Sequence, residues 1–270
     1  MAYETILLER DGPVAVLTLN RPERLNAMSK DMLHEMLDAC DAVEADDEIR
    51  VLVLTGAGKA FSPGFDLQNQ AGGPPVGRDA WRRALQIDFD AVMRFWNLSK
   101  PTIAAVRGPA LAGGCELAMA CDITIAAEGA RFGEPELRFG AGIVVMLMPW
   151  LVGPKKAKEI FLLGIDDLTA AEALDLGMIN RVVPEGDLMP VAMRMARQMA
   201  VVDPMVVRRT KEAVNASMRT MGMDAALLDA LAKDLDIEAE GSDDKRVFME
   251  KLREGGLKAA LAWREARFDV

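Results

Sequence analysis

The residues with the most chemical promise lie between Ala110 and Cys121, in the run Ala-Leu-Ala-Gly-Gly-Cys-Glu-Leu-Ala-Met-Ala-Cys. Glu116 sits there among Cys115, Leu117, Ala118 and Met119. A carboxyl group in such apolar company either finds a partner or keeps its proton to a higher pH, and the second case suits it to proton transfer. Just before it, Gly113 and Gly114 have no Cβ, so another group can approach their backbone closely. If a helix begins at that pair, the unpaired N–H groups of its first turn and the positive end of its dipole can receive developing negative charge. A glycine pair on its own is better explained by close packing of helix on strand; the neighbouring carboxyl favours the chemical reading.

Several elements must place this run. Thr102 to Val106 reads as a strand, and the Gly108-Pro109 turn leads from it into the helix. Upstream, Ile6 to Leu8 and Val14 to Leu19 read as strands joined through Asp11-Gly12-Pro13. Ser29 can cap a helix from about Lys30 to Val43, and Val51 to Thr55 is an apolar strand buried on both faces. A second glycine-rich stretch, Gly56 to Leu67, follows that strand and can bring a further backbone N–H to the same ligand. It lacks the Gly-Lys-Ser/Thr ending of a phosphate-binding loop. Ala71 to Gly77 is too rich in glycine and proline for a helix or strand and reads as a flexible segment near the mouth of the site. The stretch from Trp81 to Trp96 has helical spacing.

Beyond the central run, Ile123 to Ala126 reads as a strand and Arg131 to Phe139 crosses back. Pro154 opens a helix that Gly164 closes, Thr169 and Glu172 form a capping box, and Ile179 to Val183 is the last strand. From about Asp187 onward the pattern is helical, broken at Asp203-Pro204, Gly222, Gly241-Ser242 and Gly255-Gly256. Strand and helix units followed by helices alone imply an α/β core with a helical C-terminal part.

Composition narrows the function classes. A formal net charge of −10 argues against nucleic acid or an anionic membrane as the main partner. The longest uncharged run, Phe139 to Pro154, is shorter than the roughly 20 residues of a membrane span, and Met1 to Asn20 shows no signal-peptide pattern, so a cytoplasmic protein is expected. The single histidine, His34, excludes multi-histidine metal sites and falls on the surface side of its helix. Cys40, Cys115 and Cys121 are expected to be reduced thiols.

Four ordered markers resemble the enoyl-CoA hydratase/isomerase, or crotonase, family. They are Leu19-Asn20-Arg21-Pro22 leading to Leu25-Asn26-Ala27-Met28, then Ala60 to Leu67, then Ala112 to Leu117 with Cys121-Asp122, and Phe132-Gly133-Glu134-Pro135-Glu136. The resemblance runs from about Leu17 to Val183. It implies a spiral of ββα units over residues 1–198 and a helical trimerisation region over 199–270, assembled as a homotrimer or dimer of trimers. The implied ligand is an acyl-CoA thioester, with its oxygen held by the N–H groups of Phe65 and Gly113. Asp66, Leu67 and Gln68 would line the thioester and pantetheine, Arg24 and Leu25 would border the CoA, and Ser62 and Gly64 would lie nearby. Glu116 and Glu136 match the positions of both catalytic glutamates of the family's hydratases. Coenzyme A is then part of the substrate, and neither a separate cofactor nor a metal is expected.

The implied chemistry is coherent on its own terms. Water addition at the β-carbon of an enoyl thioester places negative charge on the thioester oxygen, where two N–H donors stabilise it, while two carboxyl groups handle the two protons. The expected activity is therefore reversible hydration of a 2-enoyl-CoA. The alternatives are an enoyl-CoA isomerase or other enolate-forming enzyme, and a non-catalytic acyl-CoA-binding subunit. Glu134 reads as a solvated or salt-bridged neighbour in preference to an additional site carboxylate. After Glu136 the chain departs from the family's usual Pro-Gly and Gly-Gly-Thr pattern, and Ile143, Val144, Val145 and Met146 are expected either to shape an apolar acyl pocket or to pack in the core. Apolar positions around Met205, Val206, Leu227, Leu228 and Leu231 are expected at a subunit interface.

Overall fold

Strand β1 (Ile6–Asp11) and strand β2 (Val14–Leu19) form an antiparallel hairpin closed by Gly12, whose φ of 58° suits a residue without Cβ. The computed structural model describes residues 3–268, apart from the side chains of residues 69–71. Ser29 accepts a hydrogen bond from Met32 N–H and starts α1 (Lys30–Ala45), after which β3 (Val51–Gly56) runs parallel to β2. Next come α2 (Leu67–Gly72), α3 (Arg78–Asn97), β4 (Thr102–Val106), the short β5 (Pro109–Leu111), α4 (Gly113–Ala120), β6 (Ile123–Ala127) and β7 (Arg131–Gly133). The remainder comprises α5 (Met148–Val152), α6 (Pro154–Leu163), β8 (Leu168–Thr169), α7 (Ala170–Asp175), β9 (Arg181–Val183), α8 (Leu188–Ala200), α9 (Pro204–Thr220), α10 (Met223–Glu240) and α11 (Asp243–Ala266). The expected flexible segment is in part a helix, since α2 extends to Gly72.

Six strands form one sheet in the order β1-β2-β3-β4-β6-β9, parallel except for the first pair; β5, β7 and β8 form a second, small sheet. The period of two along each strand divides the core. Val51, Val53, Ile103, Ala105 and Ile125 face α8, whereas Leu52, Leu54, Ala104, Val106 and Ala126 share a larger core with Met32 and Met36 of α1 and Phe95 of α3. With both faces covered, the central strands need apolar residues at every position, and β3 and β4 are buried throughout.

The tail breaks where expected: Asp203 and Ser242 cap α9 and α11, and Gly256 puts a kink in α11 at φ 73°. The tail is not a separate layer, however. α10 packs on α3, α11 packs on α2, and Leu227 and Leu231 are buried in the chain's own core rather than free for a partner. Among the described residues no helix is long and apolar enough to cross a membrane.

Candidate active site

The two N-terminal markers form a hydrogen-bonded frame. Asn26, buried at φ 65°, accepts from Arg21 N–H through Oδ1 and donates through Nδ2 to the carbonyls of Ala57 and Ala60. Ser62 is fully buried; its hydroxyl donates to Asn26 O and accepts from Gly64 N–H. Arg21 Nη1 lies 2.9 Å from Asp66 Oδ2, and Asp66 Oδ1 caps α2 by accepting from Gln68 N–H. These bonds tie residues 21–28 to residues 57–68 without help from the sheet.

The frame delivers Phe65 in a defined orientation. Met28 N–H donates to Gly64 O and Asp66 N–H donates to Met28 O, a parallel bridge in which Phe65's own N–H faces the other way. On that side lies the start of α4. Ala112, at φ 54° and ψ −136°, holds a conformation usually left to glycine, which costs about 1–3 kcal/mol. Its N–H donates to Gly133 O and its carbonyl accepts from Cys115 and Glu116 N–H, so the turn is fixed at both ends. Gly113 is then the first residue of the helix, with an N–H that has no partner within it. Among the described residues neither Phe65 nor Gly113 N–H donates a hydrogen bond. The two loops touch: a Cβ on Gly64 would lie 3.0 Å from Gly113 N, and one on Gly113 would lie 2.5 Å from the Phe65 ring. The bulk of Phe65 is thus accommodated by the glycine opposite it.

Three glutamates gather behind this turn. Glu116 is fully buried; its Oε1 accepts from Val145 N–H at 2.8 Å, and its Oε2 has no partner. Burial, followed by the charge of Glu136, pushes its carboxyl well above the usual range. Glu136 begins a 3-10 turn, leaves Oε2 unpartnered, and is pushed up to about 8 by burial. Glu134 was expected to be solvated or ion-paired. Instead it is fully buried with both oxygens unpartnered beside Cys115 and Glu136, and burial holds its pKa well above the usual value. Glu134 directly follows the short β7, and its own N–H donates to Ile165 O.

Glu136, Phe65 and Ala112 border a cavity of about 450 Å³ that also reaches Arg24, Leu25, Asp66, Leu67 and Gln68. Its other walls come from the tail, through Asp234 and Glu238 of α10 and Lys245, Phe248 and Arg264 of α11. Helices read from the sequence as an assembly region therefore help enclose the site.

The geometry invites comparison with known proteins. Residues 9–253 match the enoyl-CoA hydratase/isomerase family. The chain belongs to that family. It is 39% identical over 82% of its length to crotonyl-CoA hydratase of Syntrophomonas wolfei, with 85% of that protein covered. It is 36% identical over 96% of its length to short-chain-enoyl-CoA hydratase of Clostridium acetobutylicum, with 99% of that protein covered. A solved enoyl-CoA hydratase/isomerase from Xanthobacter autotrophicus Py2 superposes with a TM-score of 0.98 at 56% identity, covering all of both chains. The crotonase fold expected from the four markers is the fold observed.

Ser62 and Gly64, carried over from the family, are both buried in the frame beside the cavity. The Ser62 hydroxyl is occupied inside the frame. Gly64 is buried too, and its φ of 98° and close approach to Ala112 make it a spacer between the two loops. Asp66 does face the cavity, but its carboxylate is committed to Arg21 and to the α2 cap. Arg24 and Gln68 are exposed and joined by a 2.6 Å hydrogen bond. Of the four residues expected to shape an acyl pocket, Val144 lines the cavity, whereas Ile143 and Val145 pack in the core and Met146 lies partly buried against it. The sequence reading missed what Val145 does contribute, the N–H that orients Glu116.

Proposed function

We propose that this protein catalyses the reversible addition of water to a 2-enoyl-CoA, with Glu116 and Glu136 moving the protons and the N–H groups of Phe65 and Gly113 holding the thioester oxygen. The observation that carries the reading is the pairing of two buried carboxyls, each with one oxygen free, with two backbone N–H groups left undonated. Like charges in one dry site resist ionising together, so the pair keeps a proton at neutral pH. The Val145 N–H on Glu116 favours the negative charge there. Glu116 accordingly accepts a proton from water as its oxygen bonds to the β-carbon, and Glu136 supplies a proton to the α-carbon. The charge that builds on the thioester oxygen between these events meets the two N–H donors. The reactants of this chemistry are the CoA thioester and one water.

Mass-spectrometric product analysis with crotonyl-CoA tests the reading. A 3-hydroxyacyl-CoA product, with the mass of one water gained, is the expected result. Migration of the double bond in a 3-enoyl-CoA without water uptake would replace hydration with isomerisation, and binding of acyl-CoAs without turnover would leave a binding subunit. For assembly we propose a trimer or dimer of trimers, supported by Met205, Val206 and Val214, which α9 leaves exposed along one stretch. Light scattering at micromolar protein should give three or six times the chain mass, and a monodisperse monomer would refute it.

A further inference from the structure

Among the acids that border the cavity and that the hydration step does not use, one is both deeply buried and without a partner. Asp234, on α10, is only 3% exposed, lines the cavity, and has no hydrogen-bond partner for either carboxylate oxygen. Gly142 makes room for it, because a Cβ at that position would collide with Asp234 Oδ1. The departure from the family pattern after Glu136 thus coincides with the entry of a carboxyl from the tail.

Two of the three cations that border the same cavity are ion-paired, and the third, Arg24, is exposed at its edge. Lys245 pairs with Glu238 and lies 5.0 Å from the centre of the Trp81 ring, Arg264 is 2.7 Å from Asp166, and Arg24 donates to Gln68. Asp88, from α3, adds a further carboxyl to the lining. Asp234 and Asp88 are each pushed up to about 7, chiefly by burial. A buried polar group without a partner costs about 1–3 kcal/mol, and an alkyl tail filling the cavity would leave that cost in place. An acyl group ending in a carboxylate would meet Asp234, Asp88 and Glu238 with Lys245 and Arg264 already ion-paired. A hydroxyl group can donate to the ionised carboxyl or accept from the protonated one, and so satisfies Asp234 in either state.

Resting on the acyl-CoA reading above, we propose that Asp234 is a specificity-determining residue that selects acyl groups carrying a hydroxyl on the chain beyond the double bond. A site built around a hydrogen bond to substrate discriminates against the analogue that lacks it more strongly than an apolar pocket discriminates by size.

The test is calorimetric binding to the full-length protein of saturated acyl-CoAs of graded chain length, each beside its terminally hydroxylated counterpart. Saturated thioesters cannot be hydrated, so binding is read independently of turnover. At the matching length the hydroxylated ligand should bind about 10-fold tighter, the equivalent of one hydrogen bond. Asp234→Leu should remove that preference, and Asp234→Asn, whose amide still accepts and donates, should keep most of it. Equal or weaker binding of every hydroxylated ligand by the wild type overturns the proposal even if no variant folds. It leaves hydration standing if crotonyl-CoA still gains water. Failure to bind any CoA thioester would overturn both readings.

Discussion

Two buried polar regions of this molecule are built on opposite rules. In the frame formed by residues 21–28 and 57–68, Asn26, Ser62 and the Arg21–Asp66 pair place their side-chain polar groups in hydrogen bonds. A few residues further into the fold, the carboxyls of Glu116, Glu134, Glu136 and Asp234 are left short of partners. Among the described residues, they account for six of the ten buried side-chain nitrogen and oxygen atoms that have none. A satisfied network holds one geometry, because every departure from it strands a donor or acceptor. An unsatisfied acid is available to a substrate and keeps a proton that a solvated acid would lose. On the proposed function, the comparison separates a frame that positions the site from a group of acids that includes the two proposed to react.

The sharpest way to break the comparison is to neutralise the two acids proposed to react. Glu116→Gln and Glu136→Gln should each fold, bind acyl-CoA and lose on the order of 10² to 10⁴ in hydratase kcat. The double variant should lose far less than the product of the two, because the pair acts as a unit. Retention of near-wild-type turnover by Glu136→Gln alone would point to a single-base mechanism, and retention by both would remove these residues from the chemistry.

Perturbing the positioning part should give the opposite signature. Asn26→Ala deletes three hydrogen bonds and leaves the carbonyls of Ala57 and Ala60 and the N–H of Arg21 to find new partners. We expect a loss of about 2–4 kcal/mol in denaturant unfolding, with KM for the thioester raised as the Phe65 loop loosens. If Asn26→Ala is as stable as wild type but loses turnover, the division between frame and reacting acids fails.

What could be read from the chain follows from how local each feature is. Caps and turns were legible because their signals span a few residues: Ser29 on α1, the Thr169–Glu172 capping box, and glycines at the helix ends. Glu116 was legible because its apolar neighbours are also its neighbours in sequence. β5 was not, since three residues between a turn and a glycine pair carry no period. Glu134 looked like a surface charge beside a proline, and its burial depends on a small sheet made from three distant segments. Asp234 lies on a helix that also carries Asp229, Asp236 and Glu238, and nothing local singles it out. Its partner in sequence terms is Gly142, about 90 residues away, and only the folded tail brings the missing Cβ of one to the carboxyl of the other.

The smallest expected effect is also a direct reading of the unsatisfied acids, through the pH dependence of stability. Burial raises Glu136 from 4.5 to about 8 and Asp234 from 3.8 to about 7, so between those limits the folded chain binds more protons than the unfolded one. Stability on this account is greatest below the unfolded values and declines as pH rises, because ionisation costs the folded state what it does not cost the unfolded chain. Other carboxyls pull in the opposite sense; Glu35 and Glu44, for example, are held below their ordinary values by hydrogen bonds from backbone N–H groups and from Thr5 and Ser99 that outweigh their burial. The test must therefore be differential. Asp234→Asn keeps the shape and removes the titration, so its Tm relative to wild type should climb with pH between about 4 and 7 and level off above, by about 2–5 °C at the upper end. The same substitution at Asp66, whose carboxylate is paired with Arg21 and caps α2, should lower Tm at neutral pH. If both variants shift in the same direction across this range, the two regions do not differ in the way their hydrogen bonding implies.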